Sequence, residues 1–167
     1  MDKLLGAGPI IATASTDDKL ALARSLGADI AINYRQDDDW PNQVLAATDG
    51  RAADVILESV GGDIFAKSLG ALAPFGHLIS FGAASSTAAS LDVKNLYEAN
   101  HTLTGVLLSG WFRRGSAVSD ALTRLLTWIA AGDLRIPTTF PLEHAAAAHH
   151  AIHNRKTTGK VVLTPWP

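Results

Sequence analysis

Hydroxyl and cationic side chains near the start of the sequence have the residue types that bind a phosphate group. Ser15 and Thr16 follow the apolar run PIIATA (9–14), and Lys19 stands one helical turn further along. Hydroxyls beside an ammonium group suit an adenosine 2′-phosphate, whereas a carboxylate after such a strand favours free ribose hydroxyls. The same residues also fit a helix start, with Ser15 or Thr16 as the cap and Lys19 solvated. Asp17 adds an acidic neighbour, so the residues alone leave both interpretations open.

The usual glycine-rich turn for a pyrophosphate is absent from the sequence. No G-x-G-x-x-G occurs, the pattern in which close backbone approach and a helix N-terminus hold the phosphates. Gly6-Ala7-Gly8 precedes an apolar, strand-like run and not a helix, so we assign it to a turn.

Histidines raise the possibility of a metal site near the C-terminus. His149 and His153 stand four residues apart in one predicted helix, a spacing at which two imidazoles can share a metal. Glu143 is the one nearby carboxylate, and alanines fill most of the positions between. We therefore expect a partly exposed helix and no metal.

Composition excludes several classes of protein. The 167 residues are 47% hydrophobic and 18% charged, with a formal net charge of -2 and no cysteine. This composition predicts a globular chain with neither disulfides nor thiolate metal sites, and with no basic stripe for nucleic acid. No apolar run has the length of a membrane span, and no basic region leads into an apolar core at the start. We expect a cytoplasmic protein.

Short apolar runs alternate with helical patterns along the chain. The runs are rich in Ile, Val and Leu and mostly do not alternate with polar residues, which is typical of parallel strands buried on both faces. The predicted strands are 9–14, 30–33, 54–58, 76–81, 102–107 and 160–164. The predicted helices are 17–26, 41–47, 63–72, 116–131 and 143–153. This order predicts an α/β fold with right-handed crossovers.

The small, polar stretch AASSTAAS (83–90) directly follows a predicted strand. Loops at the carboxyl ends of parallel strands form the ligand crevice of α/β sheets. The stretch is therefore a candidate binding loop, and a mobile surface loop is the alternative.

Three long runs of the sequence resemble one family in order and spacing. They are IIATASTDDKLALARSLGADIAINYR, ADVILESVGGDIFAKSLGALAPFGHLISFGAAS and FPLEHAAAAHHAIHNRKTTGKVVL. Together they resemble the medium-chain dehydrogenase/reductase superfamily, in its quinone oxidoreductase (zeta-crystallin-like) branch. The resemblance implies an α/β, Rossmann-like parallel sheet with helices on both faces, incomplete at its N-terminus. Residues 1–139 would be a partial NADP-binding domain, and 140–167 would pack on a catalytic domain.

Cofactor-binding positions follow from the same resemblance. Lys19 and Tyr34, with Ser15 beside them, match residues that bind the NADPH 2′-phosphate, and Arg155 matches an arginine of that cluster. The remaining matches are turns at strand ends: Val60 and Gly61 beside the adenosine ribose and pyrophosphate, and Phe81, Gly82 and Ala83 beside the nicotinamide. Each has a structural alternative, since turns favour glycine anyway and Tyr34 suits a half-buried aromatic at a strand end.

Family members carry a GroES-like catalytic domain, a first Rossmann strand and a glycine loop before the segment that matches KLLGA. The resemblance thus implies a C-terminal piece of an NADPH-dependent reductase that transfers hydride to a quinone or enone-type acceptor. We name no catalytic residue here, and expect the piece to be inactive and to bind NADPH weakly. Alternatives are a zinc-dependent alcohol dehydrogenase, a polyketide-type enoyl reductase, or a non-catalytic nucleotide-binding or dimerisation module.

Subunit association is expected as well, because in the family the strand matching 102–107 pairs across a two-fold axis. The bulky segment 109–112 after this strand would line either a substrate pocket or that interface. A homodimer is therefore expected, with no nucleic-acid or membrane partner.

Overall fold

The computed structural model describes residues 1–134 and 138–166. The chain divides into two compact units, one from Asp2 to Trp111 and one that includes Met1 and runs from Phe112 onward. The predicted boundary after residue 139 separates a segment, 140–167, that would pack on a further domain, and this boundary stays a prediction.

The first unit alternates strands and helices, as the sequence pattern predicts. Its strands are β1 (Ile11–Ala14), β2 (Ile30–Asn33), β3 (Ala53–Glu58), β4 (Leu72–Ser80) and β5 (Thr102–Gly105). Its helices are α1 (Asp17–Ser25), α2 (Trp40–Ala47), α3 (Gly62–Gly70), α4 (Val93–Glu98) and α5 (Leu108–Trp111), after a 3₁₀ turn at Lys3–Leu5. The short helices α4 and α5 are absent from the sequence prediction, because six and four residues give too little periodicity to detect.

Two parallel sheets run through this unit. One pairs β1 with β2, and the other has the order β3-β4-β5. Ile32, Trp40 and Val44 are buried in a core that half-buried Ile11 of β1 and Ile56 of β3 both join. Residues of both sheets therefore contribute to one hydrophobic core, and the predicted parallel α/β architecture is confirmed.

Strand β4 is longer than predicted and irregular near its start. The predicted helix over 63–72 ends at Gly70, and the strand begins at Leu72 and not at Gly76. The β3–β4 register shifts between Ala53 and Val55, where Phe75 takes a left-handed φ of 63°. Pro74-Phe75-Gly76, a sequence typical of turns, thus marks an irregularity inside a strand.

The second unit contains α6 (Ala117–Ala130), β6 (Thr138–Pro141), a 3₁₀ turn at Leu142–His144, α7 (Ala145–His153) and β7 (Val161–Thr164). The sequence prediction lacks β6, which pairs in parallel with β7. Its residues TTFP include a proline and give a weak strand signal.

Helix α6 confirms the predicted helical segment 116–131 and has an exposed apolar side. Leu122, Leu126 and Ile129 lie on one side of α6 and are exposed. This apolar stripe is therefore not buried by other described residues.

Candidate cofactor-binding site

The carboxyl ends of β1 and β2 lie side by side. Ala14 pairs with Asn33 in the parallel register, and the Tyr34 backbone N–H donates to the Ala14 carbonyl oxygen at 3.2 Å. Ser15 and Tyr34 directly follow these paired strand ends, and both are half-buried. Two of the predicted phosphate-binding residues are thereby brought to one edge of one sheet.

Helix α1 starts beside this edge. Thr16 is its N-cap residue, but the Thr16 side chain makes no capping hydrogen bond. The helix-cap alternative thus lacks its expected hydrogen bond at Thr16, and Lys19, which is half-buried, lies in the first turn of α1.

Asn33 ties the end of β2 to the start of α1. Its Nδ2 donates to Asp17 Oδ1 at 3.0 Å, and its Oδ1 accepts from the Arg35 backbone N–H at 3.1 Å. The acidic neighbour noted in the sequence is therefore engaged by an amide. Arg35 is an exposed cation beside Tyr34 and is not among the predicted site residues. Its only signal was its position immediately after that tyrosine.

A buried carboxylate organises the turn after β3. Glu58 is 3% exposed, and its Oε1 accepts from the backbone N–H groups of Val60 at 2.5 Å and Gly61 at 2.7 Å. Its Oε2 accepts from Ser80 Oγ at 3.4 Å. This one side chain joins the ends of β3 and β4 to the turn between β3 and α3. Glu58 is not among the predicted site residues, because a single Glu at a strand end carries no distinctive sequence pattern.

The loop after β4 is hydrogen-bonded onto the same turn. The backbone N–H groups of Phe81, Ala84 and Ser85 donate to the carbonyl oxygens of residues 58, 59 and 60 at 2.9, 3.0 and 2.8 Å, respectively. The predicted turn residues and the predicted loop residues 81–83 therefore form one junction, defined here as residues 58–62 and 81–87.

Close backbone approach explains the glycines of this junction. A Cβ on Gly82 would lie 2.9 Å from the Ser59 carbonyl oxygen. A Cβ on Gly61, which has a φ of 78°, would lie 3.0 Å from the Thr87 carbonyl oxygen. The protein's own packing thus requires both glycines, independently of any ligand.

The exposed surface of the junction combines an aromatic ring with small residues and the hydroxyls of Ser85, Ser86 and Thr87. The side chain of Phe81 is 50% exposed, Val60 is half-buried, and Gly82 and Ala83 are exposed. The stretch 83–90 is exposed throughout, but its first residues are held by the hydrogen bonds above.

Arg155, the last predicted cofactor residue, belongs to the second unit. It lies two residues after the end of α7, next to the C-cap residue Asn154, and has a left-handed φ of 55°. Its backbone N–H donates to the Ile152 carbonyl oxygen at 2.9 Å. Arg155 is an exposed residue of that unit.

Residues 1–134 and 138–166 contain no group of three or more His, Asp or Glu side chains arranged to hold a metal ion. Within the same ranges, every helix is too short or too polar to cross a membrane.

Parallel strands with flanking helices, and turns gathered at their carboxyl ends, define a Rossmann-like α/β fold. A family model described as zinc-binding dehydrogenase matches residues 26–163. The chain therefore belongs to the zinc-binding dehydrogenase family, and the predicted resemblance to medium-chain dehydrogenases is confirmed.

Curated relatives include a Burkholderia 2-haloacrylate reductase, 35% identical over 93% of this chain and 48% of its own length. A Pseudomonas aeruginosa quinone oxidoreductase is 34% identical over 93% of this chain and 49% of its own length. An Escherichia coli quinone oxidoreductase solved with NADPH aligns with a TM-score of 0.87 and 30% identity, covering 98% of this chain and 51% of that one. The chain thus spans about half the length of the relatives it matches.

Proposed function

We propose that this chain is the cofactor-binding part of an NADPH-dependent oxidoreductase that transfers hydride to a quinone or an enone-type acceptor. The observation that carries the proposal is its combined sequence and fold similarity to quinone oxidoreductases, one of them solved with NADPH. The 2-haloacrylate reductase relative supports an acceptor with an activated double bond.

In this proposal, Ser15, Lys19 and Tyr34 bind the 2′-phosphate of NADPH, with Arg155 as a further cation. The chemistry of the donor set fits that group, since a hydroxyl, a phenol and an ammonium all donate to phosphate oxygens. The shared strand edge of residues 15 and 34 supports the assignment. Asp17, which would repel a phosphate, already accepts from the Asn33 amide.

The junction after β3 and β4 would receive the rest of the nucleotide, with Val60 and Gly61 beside the adenosine ribose and pyrophosphate and Phe81, Gly82 and Ala83 beside the nicotinamide. The bound cofactor supplies the hydride. This chain's residues hold and orient the cofactor, and the Phe81 ring excludes water from its surroundings.

Titration of the chain with NADPH and with NADH, followed by amide chemical shifts, tests the cofactor assignment. We expect weak binding, with a dissociation constant above the micromolar range, and a preference for NADPH. Lys19→Ala should weaken NADPH binding about tenfold, the scale of one charge-assisted hydrogen bond, and leave NADH binding unchanged. Lys94→Ala, which removes an exposed ammonium paired with Glu98, is the matched control. Equal effects of Lys19→Ala on both nucleotides would contradict the assignment.

The acceptor is tested with the longest reading frame that contains this chain. Quinone-dependent NADPH oxidation would support the proposal, and zinc-dependent alcohol oxidation would favour an alcohol dehydrogenase. Reduction of an enoyl thioester in preference to quinones would favour the enoyl reductase. Nucleotide binding without turnover of any acceptor would favour a binding module.

We also propose that the protein is a homodimer that pairs through β5. This strand is bonded to β4 on one side, and its other edge has no partner strand among the described residues. An unpaired edge favours strand addition. Sedimentation equilibrium should give a dimer mass, and Thr102→Pro should convert it to a monomer, because proline removes a backbone donor. A monomeric wild type would refute the pairing.

A further inference from the structure

The buried carboxylate of Glu58 accepts the backbone hydrogen bonds of the turn that faces the proposed ribose site. Both N–H groups of Val60 and Gly61 donate to Glu58 Oε1. The carbonyl oxygens of residues 58, 59 and 60 accept from the loop after β4. The turn therefore has no N–H at residues 60 and 61 left for a ligand.

A turn with this pattern differs from an anion-binding turn. Where a backbone turn binds phosphate, its N–H groups point at the ligand. Here the same groups point at an anionic side chain of the protein, which also places a negative charge behind the turn. A phosphate at residues 60 and 61 would find both of these N–H groups already engaged and would face the Glu58 carboxylate, so both effects disfavour it.

We propose that Glu58 is a positioning residue that shapes this turn to receive an uncharged part of the nucleotide, the adenosine ribose or base, and not a phosphate. The proposal rests on the proposed function and refines it. By bonding Ser80 as well, Glu58 holds the turn against the end of β4, and so keeps both halves of the junction in one arrangement.

Amide hydrogen exchange in the whole chain tests the positioning role without any ligand. Glu58→Ala should speed exchange of the Val60 and Gly61 amides about tenfold or more relative to the β4 amide of Leu78. Glu58→Gln keeps an acceptor oxygen and should stay within about threefold of wild type. Glu98→Gln, at an exposed carboxylate on α4, is the matched control.

If Glu58→Ala fails to fold, Glu58→Asp replaces it, since it retracts the carboxylate by one methylene and should also expose the Gly61 amide to exchange. Unchanged exchange at residues 60 and 61 in the folded variant would overturn the positioning role.

The preference of this turn for an uncharged part of the nucleotide is tested by titrating the wild-type chain with adenosine and, separately, with inorganic pyrophosphate. We expect adenosine to shift the Val60 and Gly61 amide signals and pyrophosphate to leave them unchanged. Glu58→Ala should weaken adenosine binding about tenfold, with rescue by Glu58→Gln, at a temperature where all variants are folded. Signals that move with pyrophosphate would overturn the recognition role. Absence of any nucleotide binding would refute the proposed function, while the exchange data still decide whether Glu58 holds the turn.

Discussion

Replacing Gly82 by alanine is the sharpest test of the junction's packing. The added Cβ would lie 2.9 Å from the Ser59 carbonyl oxygen and 3.4 Å from both Cα and Cβ of that residue. The neighbouring atoms are mostly backbone, which a rotamer change does not move. The same carbonyl accepts from the Ala84 N–H at 3.0 Å, so relief of the clash strains that hydrogen bond.

The expected cost follows from three contributions. Overpacking costs about 1–3 kcal/mol, and a strained backbone hydrogen bond costs about 1 kcal/mol. The lower entropy of the unfolded chain returns about 0.4–1 kcal/mol. We expect Gly82→Ala to lower the free energy of unfolding by about 2 kcal/mol, which lowers Tm by about 4–8 °C for a chain of this size.

Urea and thermal unfolding followed by circular dichroism measure this change. Gly105→Ala is the matched control, because Gly105 ends β5, pairs with Ser80, and has no heavy atom within 4 Å of an added Cβ. The control should be neutral or slightly stabilising. If Gly82→Ala were as stable as Gly105→Ala, the close approach of the loop to Ser59 would be wrong.

Three further substitutions test features outside the junction. Phe75→Gly should raise the free energy of unfolding by about 1 kcal/mol in urea denaturation, because the left-handed φ of 63° is costly for a side chain that is 78% exposed. His101→Leu should leave stability equal or raise it by about 1 kcal/mol in the same assay, since both buried ring nitrogens lack a hydrogen-bond partner among the described residues. Hydrogen bonds from the Asp39 backbone N–H and, to a smaller extent, from the Gln43 side-chain amide lower the pKa of Asp37 from its usual 3.8. The ionised Asp37 therefore stabilises the fold at pH values above 3.8, and this stabilisation is lost as the pH falls through the lower pKa of the folded state. Gln43→Ala should raise this pKa in an NMR titration of the carboxyl carbon, and an unchanged pKa would contradict the contact.

Sequence patterns predicted the parts of the fold that depend on buried apolar runs. The prediction for β2 matches residue for residue, and α1 differs by one residue at its end, because Gly27 gives a clear stop. The patterns failed where tertiary pairing decides the structure. Strand β6 is held by β7, and β4 begins before the proline at 74 because it pairs with Ala53 across an irregularity.

The site was predictable to a similar degree. Ser15 and Tyr34 follow strands, and parallel register alone brings two strand ends together, so their proximity is a consequence of topology. Glu58 was not predictable, because its importance comes from two backbone N–H groups that turn back toward it. A turn of that kind depends on the φ of 78° at Gly61, which a sequence does not display.

Gly61 and Gly82 have two separate explanations, ligand contact and internal packing, and the structure makes them distinguishable. Packing against Thr87 and Ser59 already requires both glycines, so their presence in the sequence is weak support for a cofactor. Val60 and Phe81 lie at the same junction, but close backbone packing does not explain their side chains as it explains the two glycines. Phe81 is half exposed, so truncating it should cost little stability. If Phe81→Ala lost nucleotide affinity while its Tm stayed unchanged, the loss would therefore report on ligand contact alone. Substitution of either glycine cannot give this evidence, because it also disturbs the packing.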